Sequence, residues 1–314
     1  MRRPRTGERR INVRHLAVFR AVMRSGSVSA GARTLNISQP AVTKSLQAIE
    51  AQIGVPLFRR IKGRLQATSE AGLLMPKVDE VFRTLEDVER LADDIAGTAV
   101  GRLTIATVTT ISTSVTAAAI ARYTKKRPNV AVEVLALATR QVIEEVANNQ
   151  VDIGITDGSS LEGTLATRQL CRASVGCVLP RDHPLAGKKA VSLRDLVGQQ
   201  IIAFHEHTFV GHEIRRKISE SGLPITISIA TNQSLVACLL TRHGIGVPLI
   251  DPFTMLSGLF PDLVMLPLSP AIEMRPRLVF PPNRPLSIAA REFVEAVVET
   301  IDELVPQSRL LHPL

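Results

Sequence analysis

Leu16, Phe19 and Val22 recur at three-residue intervals and predict a helix over about Val13–Arg24. The next stretch, SVSAGARTLNISQPAVTKSLQ (27–47), reads as two short helices joined by a tight turn. Ser27 can cap the first, and the small residues Ala30 and Ala32 let a neighbouring helix come close. Leu35 closes that helix, and Asn36 tolerates the left-handed backbone that a helix stop requires. Ser38 stands where a second N-cap belongs, and Pro40 falls in the first turn, where a missing N–H does little harm. Apolar residues then resume at Val42, Leu46, Ile49 and Ile53. This is a helix-turn-helix pattern, whose second helix can enter a DNA major groove. Two short segments, Leu57–Arg60 and Arg64–Ala67, flank Lys62-Gly63 and predict a β-hairpin wing.

Thr68 or Ser69 begins a long helix running to about Ala96. Its apolar positions Leu74, Val78, Val81, Leu85, Val88, Ala92 and Ile95 are spaced 4-3-4-3-4-3, a heptad pattern that predicts a two-stranded dimer seam. Gly97 and Gly101 end the helix as a hinge. From Arg102 the pattern alternates between strands and helices. Strand-like segments at Leu103–Thr107, Val130–Leu135 and Val151–Thr156 enclose helices at about Ser114–Lys126 and Arg140–Asn149. That order predicts a parallel α/β sheet with right-handed crossovers. A second set follows, with strands near Val175–Leu179, Ile201–Phe204, Ile225–Ala230 and Ile245–Leu249 and helices near Val210–Ser221 and Ser234–Arg242. Leu263–Leu268, Arg277–Phe280 and a last helix at Ser287–Leu304 return the chain towards the first set. The expected organisation is a disordered basic arm (1–12), a winged helix-turn-helix (13–68), a dimerising linker helix (69–97) and an α/β domain (98–314). The last would have one lobe at about 98–168 and 268–304 and a second at about 169–267, with a cleft between them.

Charge sharpens this division. Residues 1–68 carry 14 Lys/Arg against 2 Asp/Glu, whereas the remaining 246 carry 24 against 27, so a +12 head is joined to a −3 body. A basic head coinciding with a helix-turn-helix points to double-stranded DNA as a partner. Three cysteines, Cys171, Cys177 and Cys238, show no C-x-x-C pairing and suit a reducing cytoplasm. The arginine-rich start leads into no apolar stretch of secretory type, and the uncharged run 103–121 is broken by Ser and Thr, so a cytoplasmic protein without a membrane partner is expected. His205-x-His207, with His212 nearby, lacks the further ligands that would complete a metal site. No G-x-S-x-G elbow, P-loop or H-E-x-x-H occurs, so no enzyme, catalytic residue, metal or cofactor is expected.

The whole layout resembles the LysR-type transcriptional regulators. The resemblance is carried by Phe19-Arg20-Ala21-Val22, Ser25-Gly26-Ser27, Ala30-Gly31-Ala32, Leu35, Ser38-Gln39-Pro40-Ala41-Val42-Thr43, Leu46, Glu50, Gly54-Val55-Pro56-Leu57-Phe58-Arg59-Arg60 and Thr68-Ser69-Glu70-Ala71-Gly72. It implies a winged helix-turn-helix, a dimerising linker helix and a two-lobed effector domain like that of periplasmic binding proteins. It also implies a dimer, often a dimer of dimers, on an interrupted palindrome at a promoter, with RNA polymerase as a further partner. Carried over by position, the DNA-facing residues would be Ser38, Gln39, Pro40, Thr43, Lys44 and Gln47. Gln39 and Gln47 suit adenine edges, Lys44 guanine or phosphate, and the Thr43 methyl thymine. Arg33, Arg59, Arg60 and Arg64 would meet phosphate.

The same resemblance implies a small effector between the lobes, near strand C-termini and helix N-termini. The matching positions are Thr109, Thr110, Ser112 and Thr139 from the first lobe and His205, His207, Thr208, Asn232 and Gln233 from the second. Such a pocket would be hydroxyl-rich and nearly uncharged, fit for a small carboxylate or an amino-acid derivative. The segment Gly244–Thr254 resembles the branch that senses basic amino acids and opines, where Asp251 would pair with an ammonium or simply form an Asp-Pro turn. The alternative is a redox-responsive or ligand-independent regulator using Cys171 and Cys177 as a switch.

Overall fold

The computed structural model describes residues 11–61, 64–96, 101–158, 165–282 and 285–314. The basic arm before residue 11, the wing tip Lys62-Gly63 and the Gly97 hinge lie outside the described residues, as do the side chains of Arg64 and Ile95. The chain divides into two compact units meeting at Glu89 and Arg90. No helix among the described residues is long and apolar enough to cross a membrane.

In the first unit, α1 (Val13–Ser25), α2 (Val28–Thr34) and α3 (Gln39–Ile53) precede the hairpin β1 (Phe58–Ile61) and β2 (Arg64–Ala67), and α4 (Ser69–Ala96) follows. The caps fall where the sequence puts them. Ser27 Oγ accepts the Ala30 N–H at 3.1 Å, Ser38 Oγ accepts that of Ala41 at 3.4 Å, and Asn36 sits at φ 52°. A Cβ on Gly31 would come 2.8 Å from a Val22 methyl, so only glycine lets α2 approach α1 this closely. Phe19, Val42, Ile49 and Ala71 are wholly buried in one core. Glu50 fastens the wing to α3, its Oε1 accepting the amides of Leu57 at 2.7 Å and Phe58 at 3.0 Å. Arg20 fastens α1 to α4, donating Nε to Asp79 at 2.7 Å while its guanidinium lies 5.0 Å from the centre of the Phe82 ring.

The start of α4 therefore differs from the heptad expectation. Val78 is only 2 % exposed and Leu74 is half-buried, both packed into the core of their own unit. Val78 retains no surface for a second chain. The unspent apolar stripe begins later, at Val81, Leu85 and Val88, which are 39 %, 39 % and 59 % exposed; Ala92 is exposed too.

The second unit holds two lobes. In the first, β3 (Arg102–Val108) runs into a helix made of α5 (Thr109–Ile111), a π-helical turn (Ser112–Thr116) and α6 (Ala117–Lys126); β4 (Ala131–Leu137), α7 (Thr139–Ala147), β5 (Ile153–Thr156) and β6 (Thr167–Gln169) follow. The chain crosses to the second lobe through β7 (Arg172–Ser174), continuing with β8 (Gly176–Pro180), β9 (Val191–Ser192), β10 (Ile201–Phe204), α8 (Phe209–Ser221), β11 (Ile227–Thr231), α9 (Ser234–Arg242), β12 (Val247–Ile250), α10 (Phe253–Leu256) and β13 (Leu263–Ser269). It returns through β14 (Glu273–Met274) to β15 (Arg277–Val279) and ends with α11 (Ile288–Leu304) and β16 (Leu311–His312).

The first sheet has the order β4-β3-β5-β15-β6, with β4 and β5 parallel to β3 and the returning β15 antiparallel to β5. The second has the order β11-β10-β12-β8-β13-β9, with β11 and β12 parallel to β10. The crossing strands pair with each other in a three-stranded ribbon, β14-β7-β16. β3 beyond Arg102 and β5 are buried on both faces, as parallel strands covered by helices are; Ile105 lies opposite Val134 and Ile153 and is fully buried. Helices α6 and α11 meet through Tyr123 and Phe293, edge to face at 5.9 Å.

Replacing Glu50 with Ala should destabilise the first unit by about 1–3 kcal/mol, because two partly buried amides lose their acceptor. Urea unfolding with amide exchange at Leu57 and Phe58 checks this, and Glu50→Gln should lose less.

Candidate functional site

The first candidate surface is the outer face of α3. Val42, Leu46 and Ile49 point into the core, so the intervening Gln39, Pro40, Thr43, Lys44 and Gln47 are exposed. Gln39, Thr43 and Gln47 stand four residues apart and share one face, with Pro40 and Lys44 beside them. Thr43 is exposed and donates its hydroxyl hydrogen to the Gln39 carbonyl at 3.1 Å. Ser38 is committed to its capping bond. Arg33, Arg59 and Arg60 are also exposed, in α2 and on the wing.

The second candidate site is a cavity of about 640 Å³ between the two lobes. It exists where parallel strands end. In the first lobe β3 ends at Thr109 and Thr110, β4 at Ala138 and Thr139, and β5 at Asp157. In the second lobe β10 ends before His207 and Thr208, β11 before Asn232 and Gln233, and β12 at Asp251. Such a crevice is where open α/β sheets bind ligands. Thr208 caps α8, accepting the Gly211 N–H at 3.0 Å. Gly211 is required there, since a Cβ would stand 2.1 Å from the His205 carbonyl oxygen.

Eight of the ten expected effector residues line this cavity, and two do not. Ser112 turns its hydroxyl back onto the Thr109 carbonyl at 2.6 Å within the π-helical turn. His205 uses its carbonyl to hold the start of α8, and its ring stacks on His207 with centroids 4.8 Å apart. The expectation of a nearly uncharged pocket also fails. Arg140, Glu144 and Asp157 join Asp251 in the wall, and the sequence pattern singled out none of the three. Arg140 and Glu144 are one turn apart on α7 and pair at 2.8 Å, so periodicity reads them as a solvated face. Asp157 follows β5 in an Asp-Gly pair that reads as a turn; it accepts the Thr139 hydroxyl at 3.1 Å.

Asp251 is 1 % exposed. Its two oxygens accept the Ser234 hydroxyl at 2.6 Å and the Phe253 amide at 3.0 Å. Burial pushes its carboxyl up to about 6, the two hydrogen bonds oppose that, and the negative charge of Asp157 adds to it. The three cysteines are free and buried, and burial drives each thiol up to about 12. Burial thus favours the neutral thiol at Cys171 and Cys177, the opposite of the lowered pKa that marks a reactive cysteine.

Comparison with known proteins follows the same partition. Residues 13–72 match the bacterial regulatory helix-turn-helix protein, lysR family, and residues 96–302 match the LysR substrate binding domain. The chain belongs to the LysR family. It is accordingly a ligand-responsive, DNA-binding transcriptional regulator of the LysR type and not an enzyme. The regulatory protein NocR of Agrobacterium fabrum is 27 % identical over 294 residues, covering 94 % of this chain and 98 % of NocR. The octopine catabolism/uptake operon regulatory protein OccR of Rhizobium meliloti is 30 % identical over 243 residues, 77 % of this chain and 80 % of OccR. Full-length CbnR complexed with its target DNA shares the fold at a TM-score of 0.67 and 18 % identity, over 92 % of this chain and 100 % of CbnR.

Asp251 supplies a pH signature. A carboxyl raised in the fold from 3.8 to about 6 favours the folded state below pH ~4 and loses that contribution as pH rises through about 6. At about pH 7.5 the ionised group costs roughly 3 kcal/mol, at about 1.4 kcal/mol per pKa unit. Asp251→Asn should therefore raise the melting temperature of the free protein at about pH 7.5, with the gain fading towards pH 4. Thermal melts across that range check it.

Proposed function

We propose that the outer face of α3 reads an operator and that the interlobe cavity binds a small carboxylate or amino-acid derivative controlling that reading. The observation that supports it most is the exposed polar set Gln39, Thr43, Lys44 and Gln47 on a helix whose other face packs into the core, within a +12 segment. Gln39 and Gln47 address adenine edges, Lys44 guanine or phosphate, and the Thr43 methyl thymine, while Ser38 and Pro40 lead the helix into the groove. Arg33, Arg59, Arg60 and Arg64 hold backbone phosphate. The division of labour is a reader at 13–68, a linker helix at 69–97 and an effector domain at 98–314.

Two copies pair through α4, along Val81, Leu85, Val88, Ala92 and Ile95, and pairs of dimers span an interrupted palindrome. RNA polymerase is the further partner at the promoter, and the cytoplasm is the site of action. The effector reading draws on the likeness to NocR and to OccR, the octopine operon regulator. Thr109, Thr110, Thr139, His207, Thr208, Asn232, Gln233 and Asp251 form the effector site.

Lys44→Ala should weaken operator binding, and Arg64→Ala should reduce the slope of log K against log salt by about one. Fluorescence anisotropy over a salt series measures both, and unchanged isotherms for the two variants would remove the assignment. Val81→Asp with Val88→Asp should turn a fragment of residues 1–96 from dimer to monomer in sedimentation.

A further inference from the structure

α4 leaves the reader through a weak turn. Pro76 sits inside the helix and has no N–H, so it sends no helical hydrogen bond to the carbonyl of Gly72, one turn earlier. Gly72 is exposed, with open space where a side chain would stand, and glycine is the residue least willing to hold helical backbone. Bending concentrates at such a turn. The reader's apolar core reaches past the proline only to Val78 and Phe82 among the described residues. Beyond it a polar junction takes over. Asp79, Phe82 and Glu86 stand at i, i+3 and i+7 on one face of α4, and all three meet Arg20 of α1. Arg20 donates Nε to Asp79 at 2.7 Å, holds Nη1 3.7 Å from Glu86 and keeps its guanidinium 5.0 Å from the centre of the Phe82 ring. Arg24, one turn further along α1, adds a second bond to Asp79 at 2.9 Å. The side chains of Arg20 and Asp79 are only 19 % and 21 % exposed, so this is a packed junction rather than a solvated pair. The exposed Val81, Leu85 and Val88 lie about 120° further round the helix, at about 100° per residue. The face fastened to the reader and the face open to a second chain are therefore separate.

We propose that Arg20 is a positioning residue for operator reading: with Asp79, Phe82 and Glu86 it splints α4 across the Pro76 turn and thereby fixes the spacing of the two half-sites that a dimer accepts. This rests on the reading that two copies pair through α4. With the seam held along Val81, Leu85 and Val88, bending at Pro76 swings the whole reader, and two-fold symmetry applies the swing twice. The recognition helices of a dimer must meet half-sites a set number of base pairs apart. A stiff exit angle then selects one spacing, and a loose one accepts several. The bases are read by α3, so the sequence of each half-site does not depend on Arg20. Arginine suits the task because its planar fork bonds a carboxylate and lies on a ring at once, which a lysine ammonium cannot reproduce.

Selection from a random-sequence duplex library by the full chain, followed by sequencing, yields the half-site and the distribution of spacings together. The wild type should enrich paired half-sites at one dominant spacing. Arg20→Met, which keeps the stem and the helix propensity, should enrich the same half-site while the preference for that spacing over its neighbours falls by about threefold or more, the scale of a partly exposed ion pair. Arg20→Lys should fall in between. Pro76→Ala restores the missing helical hydrogen bond, so adding it to Arg20→Met should bring back the single spacing, a rescue that a role in the reader's stability alone would not give. Circular dichroism checks that each variant folds, and Asp79→Asn carries the same test should Arg20→Met fail to fold. An unchanged spacing preference in folded Arg20→Met would overturn the splint and leave pairing through α4 in place. A changed half-site sequence would also overturn it, since Arg20 would then act on the reading face itself. Wild-type enrichment of single half-sites alone would overturn both readings.

Discussion

Parallel strands end on one edge of their sheet, and in this chain two sheets turn those edges toward each other. β3, β4 and β5 from one lobe and β10, β11 and β12 from the other all deliver their last residues to a single cavity. Everything placed there follows from that constraint. Helices begin soon after the strands, so helix N-termini gather at the cavity, and Thr208 caps that of α8. β12 ends just before Asp251, so a buried carboxylate is carried into the cavity wall. The crossing strands β7 and β14 pair antiparallel and hold the two edges facing each other. Immediately beyond Asp251, α10 packs on the π-helical turn Ser112–Thr116 of the other lobe, so the charged end of β12 adjoins a contact between lobes.

The reader depends on a comparable economy of surfaces. α3 spends Val42, Leu46 and Ile49 on the core and Glu50 on the wing, which leaves a face with no structural task. α4 divides its apolar residues between two purposes. Leu74 and Val78 complete the reader's own core, and Val81, Leu85 and Val88 stay exposed. A single heptad pattern in the sequence thus conceals a change of role part-way along the helix. Periodicity reports that residues share a stripe and says nothing about which neighbour covers it.

Much of the fold was legible because it rests on local signals. Ser27, Ser38 and Asn36 mark helix ends by capping chemistry, and strand–helix alternation after Arg102 marks the parallel sheets. The short strands β6, β7, β14 and β16 were not legible, since two or three residues are too few to show a period and their pairing is wholly long-range. The same holds in the cleft. Hydroxyls next to strand ends could be anticipated, and eight of the ten residues named from the sequence line one cavity. Asp157, Arg140 and Glu144 could not, because a turn aspartate and an i,i+4 pair look like ordinary surface until tertiary structure folds them over a cavity. Ser112 falls outside the lining, with its hydroxyl turned onto the Thr109 carbonyl within the π-helical turn.

The central claim is that the strand ends of both lobes enclose one cavity with a buried carboxylate in its wall, and the Asp251 carboxyl reports this directly. A carbon-13 NMR titration of the aspartate side chains, assigned by Asp251→Asn, measures its midpoint in the free protein. The account predicts a midpoint near 6, elevated chiefly by burial. An Asp251 that titrates in the ordinary carboxylate range would contradict it.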